Sequence, residues 1–144
     1  MTTNFEPVYA ALFAKVASLP GVKSASRKMK HWSDVPAKQQ PALFMIQSGE
    51  TPEFVRGLPA KWTLKAELYL YVNPGEGKSI IPSQVMNPLI GAIRAVFLPD
   101  NVAANTCTLG GLVSHCWISG EVEVYDGVLG EQAVAVVPIE VLIA

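Results

Sequence analysis

Five places in this chain of 144 residues hold residue types that could do chemistry, and spacing decides what each can do. Gly75-Glu76-Gly77-Lys78-Ser79 has the Gly-Lys-Ser end of a phosphate-binding loop. That loop needs a glycine five residues before the end, where this chain has Val72. It also needs a helix directly after the serine, where Pro82 intervenes. A polar turn is the expectation. His115, Cys116 and Cys107 offer three soft metal ligands. His115 and Cys116 are adjacent in an extended segment, so they point to opposite faces and do not readily share one ion. A buried cysteine and a packed or interfacial histidine fit better. Ser114, His115 and Asp126 supply the residue types of a hydrolytic triad, but no Gly-x-Ser-x-Gly elbow presents the serine.

Glu121 and Glu123 stand two residues apart, on one face of a strand and roughly 7 Å from each other at ~3.3 Å per residue. A carboxylate pair hydrolyses only inside a cleft. With Val122 and Val124 on the opposite face, the pair reads as the wet side of a half-buried strand. Together with Tyr125 it could equally line a channel or meet a neighbour's basic strand. The run Arg27-Lys28-Met29-Lys30-His31-Trp32 is the basic counterpart. On a strand, Arg27 falls on one face, Lys28 and Lys30 on the other. Without glycine-aromatic patterning this is not a sequence-specific nucleic-acid surface. It is either an edge strand whose lysines discourage edge pairing or a contact strip for an acidic neighbour. Gly110-Gly111 permits a tight bend. None of these sets is a catalytic, cofactor or metal site, so none of those is expected.

The elements that would position these residues follow from periodicity. Val8, Leu12, Phe13, Val16 and Leu19 recur at helical spacing, so Phe5–Leu19 is predicted helical, with Thr3 or Asn4 as cap and Pro20-Gly21 as stop. Val22–Trp32 is predicted as a strand, Asp34–Gln40 as a loop, Pro41–Gln47 as a short buried strand and Ser48–Ala60 as a long loop. Lys61–Val72 alternates cleanly: Trp62, Leu64, Ala66, Leu68, Leu70 and Val72 on one face, Lys61, Thr63, Lys65, Glu67, Tyr69 and Tyr71 on the other. After a turn over Asn73–Ser79, Ser83–Phe97 is predicted helical. Pro88 implies either a start at Asn87 or a kink. From Leu109 to Ala144, two β-branched runs flank Asp126-Gly127, a signal for a long closing hairpin. The order α-β-β-β-α-β-β argues for one α+β domain over 1–144, a largely antiparallel sheet with two helices on one face.

Composition points to covered surface. Charged residues make up 16%, against roughly 25% in ordinary soluble domains. That depletion is most simply met by oligomerisation. Net charge is −1, so no global field draws the chain to nucleic acid. The charge is unevenly placed: residues 1–40 carry +4, residues 41–94 carry +1, and residues 95–144 carry −6 with no Lys or Arg after Arg94. A two-faced subunit could pair head to tail in a ring, or folding could interleave the signs. Two cysteines nine apart, with no second pair, make no CxxC redox or zinc framework and fit a reduced, cytosolic setting. No signal peptide and no membrane span are expected.

Several stretches together resemble the phage tail terminator, or tail completion, family over nearly the whole chain. They are Leu12-Phe13, Gln40-Pro41-Ala42-Leu43-Phe44, Trp62 through Tyr71-Val72, Asn87-Pro88-Leu89, Thr108-Leu109-Gly110-Gly111-Leu112-Val113, Trp117-Ile118-Ser119-Gly120 and Ala135-Val136-Val137-Pro138-Ile139. The resemblance implies an α+β subunit of a six-membered ring that caps the head-proximal end of a tail tube and stops its growth. It implies the tail tube protein and a head completion or neck protein as partners. DNA would pass through the lumen without specific binding. Such a protein would be made in the host bacterial cytoplasm, reside in the virion tail, touch no membrane and do no chemistry. The candidate subunit or tube contacts are then Arg27, Lys28, Lys30, Trp32, Glu53, Arg56, Gly110, Gly111, Glu121 and Glu123. The acidic C-terminal third would line the lumen or meet the adjacent subunit's basic strand. The alternatives are a tube subunit, a neck adaptor or, distantly, a small hydrolase using Glu121 and Glu123.

Overall fold

A computed structural model of the chain describes residues 4–74, 80–129 and 132–144. Helix α1 spans Glu6–Ala17 and buries Val8, Tyr9, Leu12 and Val16, one stripe at three- and four-residue spacing. Pro7 sits in its first turn, where a missing N–H leaves no helical bond unmade. Asn4 Oδ1 accepts from the Glu6 N–H at 3.0 Å. Helix α2 spans Pro82–Val96 and buries Met86, Leu89, Ile90 and Ile93. Its start lies well before Asn87, because Pro82 takes the first-turn position. Pro88 is carried inside the helix on its exposed side.

The strands are β1 (Ser24–Ser26), β2 (Ala42–Glu53), β3 (Lys61–Val72), β4 (His115–Ile118), β5 (Glu123–Leu129) and β6 (Gln132–Ile143). They form one sheet in the order β1-β2-β3-β6-β4, with β5 also on β6. Among the described residues only the β1–β2 pairing is parallel. β4 lies against Ile139–Leu142 and β5 against residues 132–136 of β6, so together they make one sheet edge broken at Ser119–Val122. Both helices pack on one face, over Leu43, Met45, Leu64, Leu68, Leu70, Val137 and Ile139. The α+β architecture predicted from element order is the one observed.

Three boundaries differ from the sequence expectation. The strand predicted over Val22–Trp32 shrinks to Ser24–Ser26, and two single 3₁₀ turns follow at Trp32–Asp34 and Ala37–Gln39. Lys28 and Lys30 have no strand beside them; the segment instead folds over the face away from the helices. There the Tyr71 hydroxyl donates to the Lys30 carbonyl at 2.8 Å. The buried Gln40 amide donates to the Val35 carbonyl at 3.0 Å and to Gln132 Oε1 at 2.9 Å. Second, most of the predicted loop Ser48–Ala60 is strand. Glu50, Thr51 and Glu53 pair with Leu64, Thr63 and Lys61, and an irregularity between Gln47 and Gly49 keeps the ladder going. Only Phe54–Ala60 remains as the connection. Third, Asp126-Gly127 is not the hairpin turn. Asp126 still pairs with Ala133 and Leu129 with Gln132, so the strand runs on past Asp126-Gly127; residues 130–131 lie outside the described residues. The closing hairpin is β5–β6, and residues 75–79 of the turn expected over Asn73–Ser79 likewise lie outside the described residues.

Candidate functional site: an aromatic, acidic groove on the open sheet face

Strand pairing sets alternate residues side by side on the face that the helices leave open. Tyr71, Val134 and Tyr125 form one row, Tyr69, Val136 and Glu123 the next, and Glu67 and Pro138 a third. Residues 29–32 form the opposite bank, and Glu121, from the break between β4 and β5, joins the rim. The groove they enclose measures about 700 Å³. Beneath its bank lies a second, smaller core of Val35, Ala42, Phe44, Tyr71 and Val134, with Trp32 and Tyr69 packed against it.

Two of the groove's carboxylates accept from tyrosines on the same face. Tyr69 donates to Glu67 Oε2 at 2.9 Å, and Tyr125 donates to Glu123 Oε2 at 2.8 Å. Burial, then the bond to Glu67, pushes the Tyr69 phenol up to about 12. The bond to Glu123 raises Tyr125, and burial raises Tyr71. All three therefore act as protonated donors at neutral pH. On the far bank, the His31 and Trp32 rings lie 5.1 Å apart, and His31 Nδ1 is 2.7 Å from Ser33 Oγ. An aromatic floor with three carboxylates at its rim suits an apolar side chain accompanied by a cation.

The structure sorts the residues singled out from the sequence. Lys30, Trp32, Glu121 and Glu123 meet in this groove. Arg27 does not: it forms a two-pronged pair with Glu6 of α1 at 2.6 and 2.9 Å and reaches Gln47 at 3.0 Å. Its bond holds the Glu6 carboxyl below the usual carboxylate range. Lys28 is exposed beside it. Glu53 and Arg56 lie at the far end of the sheet, at the β2–β3 tip. Gly110 and Gly111 form a bend with φ of +74° and +91°, preceded by Leu109 at +51°. Asp100 holds that bend: its carboxylate accepts from the N–H groups of Thr108 at 2.7 Å and Gly110 at 2.9 Å.

These bonds, Gly110 first, lower the Asp100 carboxyl to about 2. A depressed folded value lends stability above the ordinary aspartate range near ~3.9, and that contribution is lost as pH falls toward the folded value. In chemical denaturation the wild-type chain is therefore expected to be more stable than Asp100→Asn at neutral pH. The margin should narrow between pH ~4 and pH ~2; a pH-independent margin would remove Asp100 as the charged anchor of the bend.

The triad types are not assembled. His115 pairs opposite Leu142 and Asp126 opposite Ala133, nine residues apart along β6 and roughly 30 Å at ~3.3 Å per residue. His115 stacks on Trp117 with centroids 5.0 Å apart and accepts from the Cys107 N–H at 3.1 Å. Cys116 lies on the other face, buried, with its Sγ 3.5 Å from Cys107 Sγ; burial raises its thiol. Among the described residues no group of three His, Cys, Asp or Glu could hold a metal ion. No described helix is long and apolar enough to cross a membrane.

Glu67, Tyr69 and Tyr71 were not among the candidate contacts, although they fall on the polar face of their strand in the sequence. Their strict alternation with Leu68 and Leu70 gave the face correctly, and two aromatic rings on it were the available signal of a covered surface. No protein-family model matches the chain, and no curated protein matches it in sequence.

Proposed function

We propose that this chain is a structural subunit of a phage tail, one that assembles with copies of itself into a ring at the head-proximal end of the tail tube. The observation that carries the reading is the pair of unlike, unpartnered surfaces at opposite ends of one sheet. One is the aromatic, acidic groove. The other is the β2–β3 tip, where Phe54 is 74% and Leu58 63% exposed. A subunit whose two sticky surfaces differ associates head to tail, and such association closes into a ring or runs on as a filament. The low charge content and the ordered resemblance to tail terminators favour closure. In this reading the ring, a hexamer by that resemblance, stops tube growth and offers its outer face to the neck or head completion protein. The tail tube protein is the second partner, and DNA passes through the hole without specific contacts.

Electron microscopy of tail tubes assembled with and without the purified chain tests this. The expected result is added density at one tube end and a bounded length. Tubes that lengthen without limit, with no density at either end, would overturn the cap. Spontaneous growth of the chain into long tubes would reassign it as a tube subunit.

One observation favours a second reading. A hydrolytic role for Glu121 and Glu123 required a cleft around the pair, and the groove is such a cleft. Its test is separate: Glu121→Gln or Glu123→Gln should abolish a measured hydrolysis, an activity that the capping reading does not call for.

A further inference from the structure

We infer that the β2–β3 tip of one subunit docks in the open-face groove of the next copy, with Arg56 set against Glu121 and Glu123 and the tip's apolar side chains on the aromatic floor. The inference rests on the ring reading only in taking a second copy of this chain as the occupant.

The tip first. Phe54, Val55 and Leu58 are 74%, 47% and 63% exposed within five residues, an apolar concentration that invites a partner. Arg56 between them makes no hydrogen bond or ion pair among the described residues and is exposed. Glu53 stands opposite Lys61 in the ladder, while Arg56 lies beyond the paired strands in the connection itself. The loop is already shaped: the Leu58 N–H donates to the Val55 carbonyl at 3.0 Å, and Gly57 takes a φ of +84° that favours glycine. At its root, Tyr9 of α1 donates to Glu50 Oε2 at 2.7 Å. A preformed tip gives up little freedom on docking.

The groove matches it in size and sign. About 700 Å³ accommodates several side chains. Glu121 and Glu123 sit in the third of the chain that has no Lys or Arg, so no cation from β4, β5 or β6 faces them. Lys30 and His31 occupy the opposite bank. An incoming arginine supplies the missing charge, and the tyrosine rings accept its guanidinium plane as well as phenylalanine or leucine.

The chain cannot satisfy its own groove. Tip and groove share strand β3, and eight residues separate Lys61 from Tyr69, about 26 Å at ~3.3 Å per residue. A strand hydrogen-bonded on both sides does not fold back over that distance. The contact must run between copies, and because donor and acceptor surfaces differ it is head to tail.

The test uses the full chain. Arg56→Cys protein is mixed with Glu123→Cys protein and oxidised; both native cysteines are buried. A disulfide-linked heterodimer is expected on a non-reducing gel, in clear excess over Arg56→Cys mixed with Lys38→Cys. In sedimentation equilibrium, Arg56→Glu or Glu123→Arg should each weaken self-association by about thirtyfold, and combining the two reversed charges should restore most of it. Circular dichroism confirms that these exposed substitutions leave the fold intact. A chain that stays monomeric at roughly 1 mM would overturn the contact. So would association indifferent to both charge reversals, or a cross-link no stronger than the control. A chain that docks tip to groove yet never caps tubes keeps this contact and loses the tail assignment. A chain that caps tubes with Arg56 reversed keeps the tail assignment and loses the contact.

Discussion

Tyr71→Ala is expected to destabilise the chain by about 3–5 kcal/mol and to release the bank of the groove, whereas Tyr71→Phe should cost only about 1 kcal/mol. Tyr71 is 2% exposed and lies in register between Ala42 and Val134. Its ring centroid is 5.3 Å from that of Phe44, and Val35 packs in the same cluster. The side chain thus fills the small core beneath residues 28–40, and its hydroxyl pins the Lys30 carbonyl above it. Alanine removes both filling and pin. Phenylalanine removes only the pin, and the exposed Lys30 backbone can turn to water instead. Two measurements separate the cases. Chemical denaturation reads the loss of stability. Limited trypsin digestion under native conditions reads the bank and its flanks, residues 28–40, which carry Lys28, Lys30 and Lys38. Cleavage there should be markedly faster in Tyr71→Ala and only slightly faster in Tyr71→Phe. Equal cleavage in all three proteins would show that the bank is held by something else.

Leu68→Ala should cost as much, about 3–5 kcal/mol, and lower the melting temperature by about 10 °C, without touching the groove. Leu68 is fully buried on the helix side of the central strand, beside Met45 and Val137 in neighbouring strands. Strands on both sides and helices above prevent the site from collapsing around the lost volume. Of a total stability of about 5–15 kcal/mol, such a loss leaves the chain folded but close to its limit. In the folded protein, trypsin should cut within residues 28–40 at the wild-type rate. A loss below about 1 kcal/mol would mean that this face is not closely packed.

Those two residues also show which parts of the fold a sequence can reveal. Strand β3 was legible because all twelve of its positions alternate, and the two sides of that alternation are the helix face and the groove face. Helix α1 was legible for the same reason at period 3.6. The far half of β2 was not, because Ser48–Glu53 is held by backbone pairing while its side chains remain exposed, and exposed side chains carry no pattern. The basic run after Ser26 alternates well enough to resemble a strand, but no sheet edge lies beside it. What fixes it is a tyrosine hydroxyl 41 residues away in sequence. Four groove residues, Lys30, Trp32, Glu121 and Glu123, were visible as charge and aromatic signals. That they converge on Glu67, Tyr69 and Tyr71 depends on the order of strands in the sheet, which local patterns do not encode.

Strand β1 covers only Ala42, Leu43 and Phe44 of β2. The next nine residues, Met45–Glu53, therefore form the sheet's outer border on that side. A bare border of that length is a template on which a stray strand can add and fibres can grow. Here the border is interrupted by the irregularity at Gly49, by Pro52 with no N–H to offer, and by the charges of Glu50 and Glu53. The glycine and proline that made this stretch look like a loop are the features that keep a long, exposed strand from seeding aggregates in a crowded cell.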